Sequence, residues 1–266
     1  MKKLLTCFSA ALLALLTSSC LDHEAVIKVN KDGSGTITEQ TLFSAEASAM
    51  MEQMAAGLGG EGKDPLSKMT DPATAAEAAK KMGEGVEVEK TEKIDKDGRK
   101  GGRVVYKFKD INKVKFVMGG SMSDAGKSMA PPGLTEEKKP EQKPITFQYE
   151  GGKLTLVNPP NKPAEGEKVE KPEIDEQQLA MAQGMFKDMR MSLKVEFPGG
   201  IAETDATHVS GNTVTLAEME FAKLISDPAK LKKLMELDDP AAAATAFKDV
   251  DGLKVESKET VTVTLE

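Results

Sequence analysis

Alternating apolar and polar residues dominate this chain and predict β-hairpins more often than helices. Residues 24–30 (EAVIKVN) and 36–43 (TITEQTLF) alternate on the two sides of the turn cluster KDGSG. The same pattern flanks DKDGRKGG, at residues 85–94 and 103–111, and it flanks Gly151-Gly152. Each of these three places therefore predicts an antiparallel hairpin closed by a glycine-containing turn.

Three segments of this part of the chain have the apolar spacing of a helix, and two of them have recognisable first residues. Residues 45–58 follow Ser44, whose hydroxyl suits an N-cap, and a second helix follows Asp71 with a proline in its first turn. The second helix is predicted to stop at Gly83. Residues 174–190 carry the most regular apolar stripe, which predicts the third helix.

The last part of the chain returns to alternation. Residues 191–201 predict a strand that ends at Pro198-Gly199, and residues 201–221 predict a hairpin. A helix is predicted from Asp227, and residues 252–266 predict a closing hairpin. Strands that come in runs with short turns between them predict an α+β fold with an antiparallel sheet.

Two segments interrupt this pattern, at about residues 119–143 and 159–172. Both consist of small, proline and charged residues, which bury too little apolar area to offset the entropy cost of ordering, so we predict disordered insertions. The insertions lie within one α+β domain, residues 24–225. We expect residues 226–266 to add a helix and a β-hairpin that complete its sheet.

Residues 1–19 have the composition of a secretory signal, with two lysines, an apolar run over residues 4–16 and three small residues. The apolar run is too short to span a membrane as a helix. The end of the segment, Thr-Ser-Ser before Cys20, resembles the lipobox of bacterial lipoproteins, whose cysteine is lipidated and becomes the first residue. The resemblance implies that residues 20–23 are a lipid anchor and a tether. The alternative is an ordinary secretory signal cut near Ser19.

Cysteine usage agrees with lipidation. The chain has two cysteines, and Cys7 lies in the segment that we expect to be removed, so the mature chain keeps one thiol, at Cys20. An unpaired thiol is unusual in an exported protein, and a thioether-linked lipid accounts for it. Leu21, where some lipoproteins have Asp, favours the outer membrane by resemblance to enterobacterial sorting. We therefore expect a protein anchored by lipid in the bacterial envelope, on the periplasmic face or at the cell surface.

Overall composition limits the partners. Asp and Glu number 43 against 36 Lys and Arg, and this acidic balance argues against nucleic acid and against anionic lipid surfaces as partners. The 15 Met and the absence of Trp predict an adaptable apolar interior. That interior is either an ordinary core or a pocket for a lipid or another apolar ligand. The candidate pocket residues lie on the predicted helical stripes and are Met50, Met54, Met185, Phe186 and Met189.

The stretch from Asn30 can be aligned with the twelve-residue calcium loop of an EF-hand. Asn30, Asp32 and Ser34 fall at the first three ligand positions, and Gly35 falls at the sharp turn. An EF-hand also needs flanking helices and a glutamate at the last position, where this chain has Thr41. The alternating residues on both sides favour a hairpin turn built from the same residue types.

Few residues point to catalysis. Nucleophile, P-loop and zinc-binding motifs are missing from the sequence, so we predict no catalytic residue, no metal site and no cofactor. We expect both histidines, His23 and His208, to be surface residues. A hydrolase that uses two carboxylates is kept as a remote alternative.

Three stretches resemble the LppM-type bacterial lipoproteins and related uncharacterised ones. The first is the anchor cysteine followed closely by a strand and a DGSG-type turn. The second stretch contains GEGVEVEK and YKFKDI, and the third contains SLKVEFPGG and GNTVTL. The resemblance implies a curved antiparallel sheet packed on helices, and a role in binding apolar or lipid ligands at the cell envelope. The matching positions are Gly85, Val86, Tyr106, Phe108, Asp110, Ile111, Val195, Pro198, Gly199, Gly211, Asn212 and Val214.

These observations give two main hypotheses. The first is a membrane-anchored, non-enzymatic lipoprotein whose sheet and methionine-bearing helices enclose a lipid or another apolar ligand. The second is an envelope scaffold or adaptor that binds a protein partner on a sheet edge or through residues 119–143.

Overall fold

Two β-sheets make up most of the described chain, which comprises residues 21–57, 65–120, 143–159, 189–224 and 251–266 of a computed structural model. In chain order the strands are β1 Leu21–Val29, β2 Gly35–Ser44, β3 Glu87–Lys96, β4 Arg99–Phe108, β5 Lys115–Phe116, β6 Ile145–Glu150, β7 Lys153–Val157, β8 Arg190–Glu196, β9 Ile201–Thr204, β10 Val209–Ser210, β11 Thr213–Glu220, β12 Leu253–Val255 and β13 Thr260–Leu265.

Sheet 1 has the strand order β10-β11-β8-β1-β2-β4-β3, with β12 also paired to β11, and sheet 2 has the order β5-β6-β7-β13-β9. The predicted α+β class with antiparallel sheets is confirmed, and so are the three hairpins β1–β2, β3–β4 and β6–β7. Strand β1 lies near the centre of sheet 1, where it pairs antiparallel with β2 and parallel with β8. The strands therefore form two sheets with one parallel pair, where the sequence predicted a single antiparallel sheet.

Three α-helices and two 3-10 helices accompany the sheets in the described ranges. They are α1 Ala45–Gly57, α2 Pro72–Met82, α3 Phe221–Leu224 and the 3-10 helices Pro65–Thr70 and Ile111–Lys113. Both predicted N-caps are present: Ser44 Oγ accepts from Ala47 N at 3.1 Å, and Asp71 Oδ2 accepts from Thr74 N at 2.8 Å. No helix of the described residues combines the length and the hydropathy that a membrane crossing needs.

Sheets 1 and 2 share one hydrophobic core. Alternate residues of β1 point inward, so that Ile27 is fully buried, and its neighbour Ile37 on β2 is buried with it. Leu154 and Val261 contribute to the same core from sheet 2. Burying one such side chain stabilises the fold by about 1.5–3 kcal/mol, and this shared core fixes how the hairpins pack.

The prediction of a tether at residues 20–23 is wrong for residues 21–23, the part of it that the structure describes. Leu21 is already in β1 and pairs with Phe43, and His23 pairs with Thr41. Polar residues at positions 22–24 concealed the start of the strand, because Asp and, to a lesser degree, Glu are depleted in strands. Strand β1 therefore already includes the first described residue, Leu21.

The predicted closing hairpin is also wrong. Strand β12 pairs with β11 in sheet 1, whereas β13 pairs with β7 and β9 in sheet 2, so the two strands have different neighbours. Alternation identifies each strand but carries no information about its partner. Similarly, β9 joins sheet 2, and only the short β10 pairs with β11 in the predicted hairpin at 201–221. The helix from Asp227 lies outside the described residues, as do almost all of both insertions.

A buried carboxylate stabilises the segment in which the chain passes from β12 in sheet 1 to β13 in sheet 2. Glu256 follows β12, is 3% exposed, and accepts hydrogen bonds from Thr207 N at 2.6 Å, Thr207 Oγ1 at 2.7 Å and Lys258 N at 3.1 Å. We expect Glu256→Ala to lower the free energy of unfolding by about 2 kcal/mol, because these bonds to a charged group are lost. Urea unfolding measures this loss. The exposed neighbour Glu259→Ala is the control, and equal effects of the two changes would contradict the assigned role.

Candidate functional site

The structure describes only part of the predicted site. Cys20, Met185 and Phe186 lie outside the described residues. Met50 and Met54 lie within α1, as predicted. Met189 comes directly before β8, is half-buried, and its carbonyl oxygen accepts from Phe221 N at 2.9 Å. The grouping of the five apolar residues, without Cys20, around one pocket stays a prediction.

Strand register brings a different set of residues together near the start of β1. His23 on β1 lies beside Met191 on β8 and beside Thr41 on β2. Met191 in turn pairs with Met219 on β11, and Thr41 pairs with Gly102 on β4. These five residues form one row across sheet 1, which we call the methionine–histidine row. It lies on the inward face, because His23 alternates with the buried residues of β1.

The imidazole of His23 is fully buried, which corrects the prediction of a surface histidine. Its Nδ1 lies 2.9 Å from Thr41 Oγ1, and its Nε2 has no hydrogen-bond partner among the described residues. Burial lowers the pKa of His23, and the charge of Asp22 opposes that shift. Asp22 itself forms an ion pair with Arg99 at 3.2 Å. The ring is therefore held neutral, with one nitrogen free to bond a ligand or a water.

Helical segments lie over the β4 side of the row. A Cβ on Gly102 would lie 2.3 Å from Thr70 Cγ2, so the 3-10 helix Pro65–Thr70 packs directly on β4. Ser48, in the first turn of α1, is fully buried, and its Oγ has no hydrogen-bond partner among the described residues. This end of sheet 1 therefore contains two buried polar groups, Ser48 Oγ and His23 Nε2, that can each still form a hydrogen bond.

The methionines supply the apolar part of the row. Met191 and Met219 are half-buried, whereas Leu193, the next inward residue of β8, is fully buried in the core. Methionine side chains are flexible and adapt to irregular ligands, and apolar sites commonly combine such side chains with a few polar groups. The row therefore combines the residue types of such sites, with two methionines beside a histidine nitrogen that has no hydrogen-bond partner among the described residues.

The inward face has a second polar feature, next to the row. Glu39 is 5% exposed and lies between Ala25 and Val104 on the neighbouring strands. Burial raises the pKa of Tyr106, and the charge of Glu39 raises it further. The Tyr106 hydroxyl therefore stays protonated at neutral pH.

The remote alternative of a carboxylate hydrolase needs two acids side by side. Glu39 lies on β2, whereas Glu256 follows β12, and strands β11, β8 and β1 lie between them. At about 4.8 Å per strand step, four steps separate the two groups by roughly 19 Å. These two buried carboxylates therefore do not form a catalytic pair.

The segment that resembles a calcium loop is a hairpin turn, as predicted. Strands flank it on both sides, and Val29 pairs with Gly35. Asp32 Oδ1 accepts from Ser34 N at 3.0 Å and from Ser34 Oγ at 2.6 Å, so its carboxylate binds the turn itself. In the described ranges, no group of three or more His, Cys, Asp or Glu could hold a metal ion.

The burial of His23 predicts a pH dependence of stability. Its pKa is lowered from the ordinary 6.5 in the folded state, so the unfolded state binds more protons as the pH falls through about 6.5. Stability is therefore present in full above that pH and declines below it. Urea unfolding between about pH 5 and about pH 7.5 measures the slope. His23→Gln should remove this contribution, and the control His208→Gln should keep it; an unchanged slope in His23→Gln would contradict the account.

Comparisons with known proteins give remote structural similarity alone. No family model matches the chain, and no curated protein matches it. Among solved structures, the NMR structure of the folded domain of LppM from Mycobacterium tuberculosis is similar, with a TM-score of 0.34 and 14% identity. The alignment covers 77% of this chain and 85% of that chain. At this TM-score the similarity supports no statement about what the present chain binds.

Proposed function

We propose that this protein is a non-enzymatic lipoprotein, anchored in the bacterial envelope by a lipid on Cys20, that binds a lipid or another apolar ligand. The ligand lies along the methionine–histidine row at the start of β1. The observation that carries the proposal is this row, in which the half-buried Met191 and Met219 lie next to the buried His23. The Nε2 atom of His23 has no hydrogen-bond partner among the described residues.

The anchor is supported by the sequence of the export signal. The apolar run, the small residues before Cys20 and the lack of any other cysteine in the mature chain fit a lipidated N-terminus. One acyl chain binds membranes only marginally, whereas two or more anchor a protein firmly. The first residue of β1 follows Cys20 in the chain, so a ligand in the row would lie close to the membrane that supplies it.

The ligand class follows from the side chains of the row. Met191 and Met219 offer apolar, deformable contacts, and His23 Nε2 offers one hydrogen bond in a buried setting. A fatty acyl chain with an ester, amide or hydroxyl group has both kinds of surface. A small polar metabolite would leave the methionines without an apolar partner.

Native mass spectrometry of the protein purified from its own envelope, with extraction of bound lipid, tests the proposal. We expect a lipid bound at close to one per chain. The double change Met191→Gln and Met219→Gln should remove this lipid, because two apolar contacts become polar. Met118→Gln is the matched control, since Met118 is also half-buried but packs against the shared core. A protein without bound lipid, or equal retention in both variants, would contradict the proposal.

The alternative of an adaptor that uses a sheet edge has less support. Strand β3 is an edge of sheet 1, and seven of its ten residues are charged (EVEKTEKIDK). Charged edge strands resist pairing with another chain. Residues 121–142, which an adaptor could also use to bind a partner, lie outside the described residues. Recovery of one stoichiometric envelope protein, lost when that segment is deleted, would favour the adaptor.

A further inference from the structure

We infer that the protein lies on the bilayer in one fixed orientation, with the β3–β4 turn in contact with the lipid headgroups. This inference rests on the proposed lipid anchor at Cys20 and adds the surface that faces the membrane. The surface, which we call the proximal edge, consists of the turn Lys96–Arg99, Leu21 at the start of β1 and Arg190 at the start of β8.

Cys20 is joined to strand β1 without a flexible tether, and this short connection limits how the domain can turn on the membrane. Leu21 is hydrogen-bonded into sheet 1 beside Phe43, and Cys20 is one peptide unit away, a Cα separation of about 3.8 Å. Strand β1 is flanked on both sides, by β2 and β8. A lipid on Cys20 therefore cannot swing away from the sheet, and the end of sheet 1 at Leu21 must lie at the membrane surface.

The strand register gives the second argument. Leu21 pairs with Phe43, and Phe43 pairs with Lys100 on β4. Strand β4 runs in the same direction as β1, so its first residue, Arg99, lies one residue beyond the level of Leu21. Arg99 pairs with Lys96 on β3, and the turn extends one step further. The β3–β4 turn therefore projects at least as far toward the membrane as the residue that would carry the lipid.

The chemistry of the turn is suited to headgroups. The side chains of Lys96 and Asp97 form an ion pair at 4.0 Å and are 79% and 83% exposed, so a positive and a negative group both lie in solvent at the turn. Gly98 has a φ of +73° and nothing within 4 Å of an added Cβ, so the turn tip is also open. The opposite end of sheet 1 is remote: Val29, eight residues along β1, lies about 26 Å from Leu21 at about 3.3 Å per residue.

Two single-cysteine reporters test the orientation. Lys96→Cys lies on the proximal edge, and Ser210→Cys lies at the far end, because Ser210 pairs with Thr213, which is level with Glu196 and Lys28. Both positions are exposed. With Cys20 blocked by lipid and Cys7 removed with the signal, a thiol-reactive fluorophore labels the introduced cysteine alone.

The measurement is quenching by nitroxide-labelled headgroups in phosphatidylethanolamine–phosphatidylglycerol vesicles that hold the full lipidated protein. We expect the Lys96→Cys label to lose most of its emission and the Ser210→Cys label to lose none beyond the collisional background. Asp95→Cys, exposed and level with Leu21, is a second proximal reporter if the first variant folds poorly. Equal quenching of proximal and distal labels would overturn the inference while leaving the anchor in place.

A spacer provides the matched control. Insertion of about twenty Gly and Ser residues between Cys20 and Leu21 gives a flexible tether of about 25 Å, comparable to the length of β1. The difference between the two labels should then shrink, because the domain rotates freely. If the difference in quenching between the two labels persisted, the contact of the β3–β4 turn with the membrane would not depend on the short connection to Cys20. That result would overturn the inferred cause of the orientation. Failure of the unmodified lipidated chain to float with vesicles would overturn the proposed anchor itself.

Discussion

A Cys20→Ala chain is expected to leave the membrane fraction and to be recovered in the soluble fraction. Each acyl methylene buried in the bilayer contributes about 0.8 kcal/mol, and two or more acyl chains hold a protein firmly. Without the thiol no lipid can be attached, so almost all of the anchoring energy disappears. Cell fractionation followed by immunoblotting measures the redistribution.

Cys7→Ala is the matched control for this prediction. Cys7 lies in the apolar run of the export signal, so its replacement should leave the mature protein membrane-bound and fully lipidated. If Cys20→Ala stayed in the membrane fraction, or if Cys7→Ala left it, the anchor would have to lie elsewhere in the chain.

Gly35→Ala is expected to destabilise the fold by about 3 kcal/mol or more, since overpacking on this scale is among the most costly substitutions. A Cβ at this position would lie 1.8 Å from Lys28 O and 2.6 Å from Phe108 Cζ. The contact with Lys28 is with backbone of the neighbouring strand, so no side-chain rotation relieves it. Strands β1 and β2 would have to separate at the closed end of their hairpin.

Denaturant unfolding measures this loss, with Gly120→Ala as the control. A Cβ on Gly120 would meet Val117 Cβ at 3.7 Å, which is ordinary contact. We expect the control to unfold at nearly the same urea concentration as the unmodified protein. A Gly35→Ala protein as stable as the control would mean that the close packing of β1, β2 and β4 around this glycine is wrong.

The local structure of this fold could be predicted from sequence because its signals are local. Ser44 and Asp71 cap their helices through hydrogen bonds within the next three residues, and such caps depend on residue type alone. Asp97 and Gly98 have φ values of +55° and +73°, as a tight turn between two strands requires. The hairpins and two helices therefore follow from short stretches of sequence.

The arrangement of these elements could not be predicted in the same way. Strand β12 and strand β13 both alternate, yet one adds to sheet 1 and the other to sheet 2. The parallel pairing of β1 with β8 joins residues about 170 positions apart, such as Glu24 and Lys194, whose side chains meet at 2.8 Å. Alternation states which face of a strand is buried, but it does not identify the strand beside it.

The candidate site depends on this same long-range register. The sequence drew attention to methionines on helices, whereas the methionine–histidine row uses Met191 and Met219 on strands. A polar histidine near the chain start predicts a surface residue, but the inward position of His23 in β1 buries it. The alternation of residues 21–29 contains that signal, because a strand that begins at Leu21 has His23 on the same face as Ala25 and Ile27.

Intact mass measurement of the protein isolated from its own envelope tests the central claim most directly. We expect a chain that begins at Cys20, carries covalent acyl groups, and under native conditions also retains one noncovalent lipid. A chain that begins at another residue, with an unmodified thiol and no bound lipid, would contradict both the anchor and the apolar site.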